Sequence, residues 1–115
     1  MRKLLIALIA ALLPFAAQAA DLAAGKTKAE QACASCHAVG NDWTKPLQPD
    51  YPRLGGQHKD YLITALNAYK QGDKSLIGRK NPVMGAMAGG LSPQDVENVA
   101  AYLSSLKDGP LHVKR

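Results

Sequence analysis

Cys33-Ala34-Ser35-Cys36-His37 holds the only two cysteines of the 115-residue chain and places a histidine directly after the second. Thiols at i and i+3 with an imidazole at i+4 form the attachment pattern of covalent haem. Each thiol adds across one vinyl group, and two intervening residues let the sulfurs reach neighbouring pyrroles. On a helical turn the three side chains share one face, so the imidazole is delivered beneath the iron that the thioethers fix. Other chemistries also use C-x-x-C. A thioredoxin-type dithiol needs a βαβ surround, and a zinc site needs a second ligand pair; neither accompanies the motif. A disulfide would close a very small loop and leave His37 without a role.

An iron held from one side by His37 needs a second axial ligand to become an electron-transfer centre. Thioether sulfur suits that position, because it favours ferrous iron and raises the potential. Met84 and Met87 are the candidates, both within Asn81-Pro-Val-Met-Gly-Ala-Met-Ala-Gly-Gly90. Pro82 pushes its neighbour toward an extended backbone, and the small residues that follow let main chain lie against a macrocycle. One methionine suffices for the iron, and the other can pack on the ring edge. His58 and His112 are weaker rivals, the first opening a helix and the second lying in the C-terminal tail. Ligating histidines donate their second ring nitrogen to a carbonyl or carboxylate. The proline-rich loop after the motif can present one, with Pro46 or its neighbour expected. Arg53, Gln57, Tyr61 and Trp43 could hydrogen-bond haem propionates, although each also reads as an ordinary surface or core residue.

Three helical stretches must position these groups. The first runs from about Leu22 to Cys36 in good helix formers, with Gly25, Ala29 and Ala32 as a small-residue stripe that admits a close helix partner. The second, about His58 to Gln71, spaces Tyr61, Leu62, Ala65, Leu66 and Tyr69 helically and ends on Gly72. The third has Ser92 at the N-cap, Pro93 at the first helical position and Asp95 as the capping-box acid. Val96, Val99, Ala100, Leu103 and Leu106 form its apolar face, and Gly109-Pro110 closes it. The connections Gly40–Gly56 and Asp73–Leu91 are rich in proline and glycine, with no period-two alternation to suggest strands. Irregular loops this long need something to organise them, and a haem wrapped by both would do so.

Residues 1–19 read as a secretory leader: Met1-Arg2-Lys3, an apolar run from Leu4 to Leu13, and Ala17-Gln18-Ala19 as a small-x-small cleavage site. The apolar run is short for a bilayer span. One domain, residues 20–115, would remain. It loses Phe15, the only phenylalanine, and keeps Trp43 and four tyrosines. Much of its other apolar content is alanine, which buries little area per residue, so a flat macrocycle would supply missing bulk. Fourteen Lys and Arg against nine Asp and Glu give a net charge of +5. Loss of Arg2 and Lys3 with the leader lowers it to +3. The basic residues are scattered, so no nucleic-acid arm is expected, and steering toward an acidic partner has only weak support.

Together these residues resemble a class I c-type cytochrome, and most closely one domain of the periplasmic monohaem and dihaem cytochromes of proteobacteria. The likeness rests on Cys33-Ala-Ser-Cys-His37, on Tyr51-Pro-Arg-Leu-Gly-Gly-Gln-His58 followed by Tyr61-Leu62, and on Met84 seven residues before Leu91-Ser92. Asp95-Val-Glu-Asn-Val-Ala-Ala-Tyr-Leu103 matches too, so nearly all of residues 20–115 is covered. The resemblance implies an all-α small cytochrome c fold, with three main helices and long loops wrapped around one covalently bound haem c. It implies that the first and last helices cross near the haem. It assigns covalent attachment to Cys33 and Cys36 and axial ligation to His37 and Met84, choosing Met84 over Met87. Function would then be one-electron carriage in the periplasm between respiratory or other redox enzymes, with no catalytic residues. Partners would be redox proteins, with no nucleic acid, no small-molecule substrate, and membrane contact only through partner complexes. An electron-relay subunit of an oxidase or dehydrogenase is the alternative, and a haem sensor with a displaceable distal ligand is a third reading. One haem motif is present where the dihaem relatives have two.

Overall fold

Asp21 starts the first helix by accepting the Ala24 N–H on its carboxylate at 3.0 Å, satisfying a donor that has no intrahelical partner. The computed structural model describes residues 19–107, and among them the regular structure is entirely helical. The leader lies outside that range except for Ala19, as do Gly109-Pro110 and His112. The helices are α1 (Leu22–Ala32), α2 (Ala34–His37), α3 (Lys59–Gln71), α4 (Pro82–Gly89) and α5 (Pro93–Ser104). No described helix is long and apolar enough to cross a membrane.

The crossing of α1 and α5 organises the molecule. The small-residue stripe makes it possible. Gly25 and Ala29 are buried against α5, and a Cβ on Gly25 would stand 2.0 Å from the Asn98 carbonyl oxygen and 3.0 Å from the Tyr102 Cβ. Asn98 is itself buried, and its side-chain oxygen accepts from the Asp21 N–H at 2.9 Å and from the Gln94 amide at 2.8 Å. The contact is with backbone, which cannot swing aside. Gly25→Ala is therefore expected to force the helices apart and cost about 3 kcal/mol, the upper end for overpacking. Thermal unfolding of the haem-loaded protein followed by circular dichroism measures that loss, and an unchanged midpoint would refute the packing account.

On the other side of the seam, Val96, Val99, Ala100 and Leu103 of α5 are all at most 2% exposed. They join Ala29, Ala34, Ala38, Trp43 and Leu62 in the core. The capping box of α5 is present in both directions: Ser92 Oγ accepts the Asp95 N–H, and the Asp95 carboxylate accepts the Ser92 N–H. The helix ends at Ser104, five residues before the expected glycine. On α3 the buried face is Leu62, Ala65 and Ala68, with Tyr61 exposed. Gly72 closes that helix at φ 50°, a region that suits glycine.

Two expectations are corrected. The first stretch does not run unbroken to Cys36: Cys33, at φ −117° and ψ −35°, separates α1 from the single turn of α2. Part of the Asp73–Leu91 connection is helix. Asn81 accepts the Met84 N–H on its side chain at 2.9 Å, and Pro82 occupies the first helical position of α4. Asn81 itself is extended, as a residue before proline should be.

Candidate functional site

The turn that carries the haem motif survives the break at Cys33. The Cys33 carbonyl accepts from the N–H groups of Cys36 at 3.3 Å and His37 at 3.0 Å, so the two sulfurs and the imidazole remain one turn apart. Loop residues lace onto this turn, since the Leu47 N–H donates to the Cys36 carbonyl and the Val39 N–H to the Lys45 carbonyl, both at 2.9 Å. Trp43 anchors the same loop in the core, edge-on to Tyr102 at 6.2 Å between ring centroids. Its ring belongs to the core. Gly55 and Gly56 bring the loop back. Gly56, at φ 74°, donates its N–H to the Leu103 carbonyl at 2.8 Å.

That return places Pro52 beside His37. The His37 imidazole is buried, and its Nδ1 lies 2.9 Å from the Pro52 carbonyl oxygen. A carbonyl only accepts, so Nδ1 carries the proton and Nε2 keeps its lone pair for a metal. The proline-rich loop does present the expected carbonyl, but from Pro52 and not from Pro46. Proline spacing alone does not tell which of three carbonyls the returning chain brings within reach. Tyr51 covers the imidazole at 6.0 Å between ring centroids.

The cysteines behave as attachment points. Both are free of disulfide bonding. Burial pushes the Cys33 thiol up to about 11, with Cys36 adding to the rise. A redox dithiol needs the opposite, a thiolate stabilised near neutrality. Among the described residues, no three His, Cys, Asp or Glu side chains converge on one point a metal could occupy. That suits a cofactor that takes the thiols at its edge and the imidazole at its centre.

α4, which carries Met84, packs along α3, and α2, which carries His37, packs on α1. Gly85 and Ala88 face α3, with Ala88 fully buried. At 100° per residue Met84 sits about 40° from Ala88 around the helix and Met87 about 100° away. Met84 is accordingly half-buried and Met87 is 44% exposed. Apolar side chains before and along this helix remain uncovered, Ile77 at 77% and Val83 at 66%. So much exposed apolar surface in so small a domain calls for a partner. The donors fit a flat apolar macrocycle, which Cys33 and Cys36 would hold at its edge and His37 Nε2 would meet at its metal.

The remaining candidates separate. Arg53 is exposed, and its carbonyl accepts the Gln57 amide at 3.4 Å, which engages that amide within the loop. His58 caps α3 from an exposed position. Arg79 is exposed, and its guanidinium stands 5.6 Å from the ring centroids of both Tyr61 and Tyr69.

An all-α domain presenting two thiols and a metal-ready imidazole on one turn is a covalent haem-binding protein. A family model described as cytochrome c matches residues 22–107, and this chain belongs to the cytochrome c family. It is 37% identical over 95 residues to cytochrome c-554(547) of Halothiobacillus neapolitanus, covering 77% of this chain and all of that protein. It is 41% identical over 87 residues to cytochrome c-554(548) of Halomonas halodenitrificans, covering 76% of this chain and 98% of that one. Against cytochrome c4 of Stutzerimonas stutzeri the identity is 38% over 113 residues, with 93% of this chain spanning 52% of the relative. The protein is a c-type cytochrome with covalently bound haem c, and its business is electron transport.

Proposed function

We propose that this chain carries single electrons through the periplasm, with Cys33 and Cys36 bonded to haem and His37 and Met84 as the axial pair. When bound, the haem supplies a one-electron cycle between ferric and ferrous iron. The observation that carries the reading is the Nδ1 bond from His37 to the Pro52 carbonyl at 2.9 Å, because it aims the other nitrogen and fixes its tautomer. That bond also raises the basicity of the ligating nitrogen. Trp43 and the lacing of the 39–47 segment hold the turn stiff, so the imidazole does not have to reorganise between oxidation states. Tyr51 stands beside it, 6.0 Å between ring centroids. From α4 the sulfur would come from the half-buried Met84. Six-coordinate iron has no open position for a substrate, which supports a carrier over an enzyme. The domain would comprise residues 20–115 after removal of the leader 1–19, and its partners would be redox proteins that donate and accept electrons by surface contact.

Protein recovered from a periplasmic extract tests this directly. Its N-terminus should be Ala20, and its oxidised spectrum should be low-spin with a weak far-red sulfur-to-iron charge-transfer band. The reduced native protein should not bind carbon monoxide. Ready carbon monoxide binding would point to a sensor, retention of residues 1–19 in membranes to an anchored carrier, and tight copurification with an oxidase or dehydrogenase to a relay subunit.

A further inference from the structure

The eight residues of α4 are too few to be helical on their own in water, and α3 is its only substantial packing partner among the described elements. Three consecutive residues on the last turns of α3 hold its beginning, middle and end. The Ala68 carbonyl accepts the Arg79 N–H at 2.9 Å, just ahead of Asn81 and Pro82. The same Arg79 lays its guanidinium between Tyr61 and Tyr69, rings two turns apart on α3, at 5.6 Å from each, within cation–π range. At the middle, a Cβ on Gly85 would stand 3.6 Å from the Tyr69 carbonyl, so the two backbones lie close. At the far end, the half-buried Lys70 amine donates to the Leu91 carbonyl at 2.5 Å. Leu91 and Gly90 bond back to the Ala88 and Met87 carbonyls, so a hold on Leu91 is a hold on the last turn of α4.

We propose that Arg79 and Lys70 are positioning residues for the distal ligand, clamping the 79–91 segment to α3 so that Met84 stays on the iron and resists displacement. The inference rests on the His37/Met84 reading. Its physical basis is that a neutral thioether binds iron weakly and keeps its place through the chain that carries it. A segment freed at both ends spends more time with the sulfur withdrawn, and an incoming ligand gains affinity in proportion to that population. Both fastenings use a cation, and neither touches α1, α2 or the core around Trp43. Loosening them should therefore act on the distal side and spare the rest of the fold.

The experiment uses the oxidised haem-loaded protein titrated with imidazole and follows loss of the far-red sulfur-to-iron band. Arg79→Leu and Lys70→Met, the latter keeping the stem without the amine, should each tighten apparent imidazole binding several-fold, and about tenfold together. Both position-79 variants keep the backbone bond to Ala68, but Arg79→Lys also keeps the cation and should return imidazole affinity to within about twofold of the unsubstituted protein. Denaturant unfolding followed by Trp43 emission should move much less than the ligand-exchange equilibrium. Unchanged imidazole affinity in the double variant overturns the clamp. So does a Lys variant as perturbed as the Leu one, or a fall in global stability large enough to account for the whole change. If the unsubstituted protein lacks the band, or Met84→Ala retains it, the ligation reading fails first and is distinguished from failure of the clamp.

Discussion

Replacing Cys33 and Cys36 together with alanine is expected to abolish covalent haem and leave a chain without cooperative tertiary structure. The core is the reason. Among the described residues, seven of the thirteen buried apolar ones are alanine (29, 34, 38, 65, 68, 88 and 100), and each contributes little buried area compared with a leucine. Ordering the backbone costs about 1–2 kcal/mol per residue, and a domain below about 100 residues has little margin from which to meet that cost. Leu54 and Ile63 pack only partly into the core, and Tyr51, Ile77 and Val83 are exposed, so the protein's own side chains leave apolar surface unburied. Two measurements check this. Acid extraction should remove any residual haem from the variant and none from the unsubstituted protein, and the haem-free variant should show no sigmoidal urea transition. A colourless variant that still unfolds cooperatively near the original midpoint would falsify the role of haem as core.

How far the sequence foretold this arrangement varies with the kind of signal. Ser92-Pro93 with Asp95 announced α5 because capping chemistry is local and is written within four consecutive positions. Gly25 and Ala29 announced a close helix partner for α1 because only small side chains allow that approach, and the family resemblance named the last helix as that partner. The motif turn was equally legible, since its geometry follows from spacing alone. By contrast, α4 was missed although Asn81-Pro82 carries the same cap-and-proline signal as Ser92-Pro93. Its two glycines and two methionines give no apolar periodicity, and its helicity is imposed by packing on α3. The Pro52 carbonyl and the place of Arg79 between two tyrosines are tertiary facts. Each depends on where a long connection returns, and no local pattern encodes that. Ala68 was overlooked for a related reason: an alanine reads as neutral until the backbone it lets approach is known.

Met84→Ala is expected to erase the far-red charge-transfer band, open the reduced iron to carbon monoxide and lower the reduction potential, because the soft sulfur that favours ferrous iron is gone. Met87→Ala is expected to leave ligation intact. The two side chains share a helix but not an environment. Met84 flanks the seam between α4 and α3 and is half-buried, whereas Met87 is 44% exposed on the neighbouring face. A side chain with that much solvent contact fills little space, so its truncation should cost about 1 kcal/mol or less, below the 2–5 kcal/mol typical of a buried methionine. The Met84 N–H is also tied to the Asn81 cap at 2.9 Å, which fixes the start of the turn that projects its sulfur. Met87 has no equivalent restraint beyond the helix itself. Oxidised and reduced spectra of both variants, with a redox titration of each, decide the matter. Loss of the band in Met87→Ala with retention in Met84→Ala would reverse the assignment while leaving a carrier. Retention in both would remove this helix from the iron and reopen the sensing and bis-histidine alternatives.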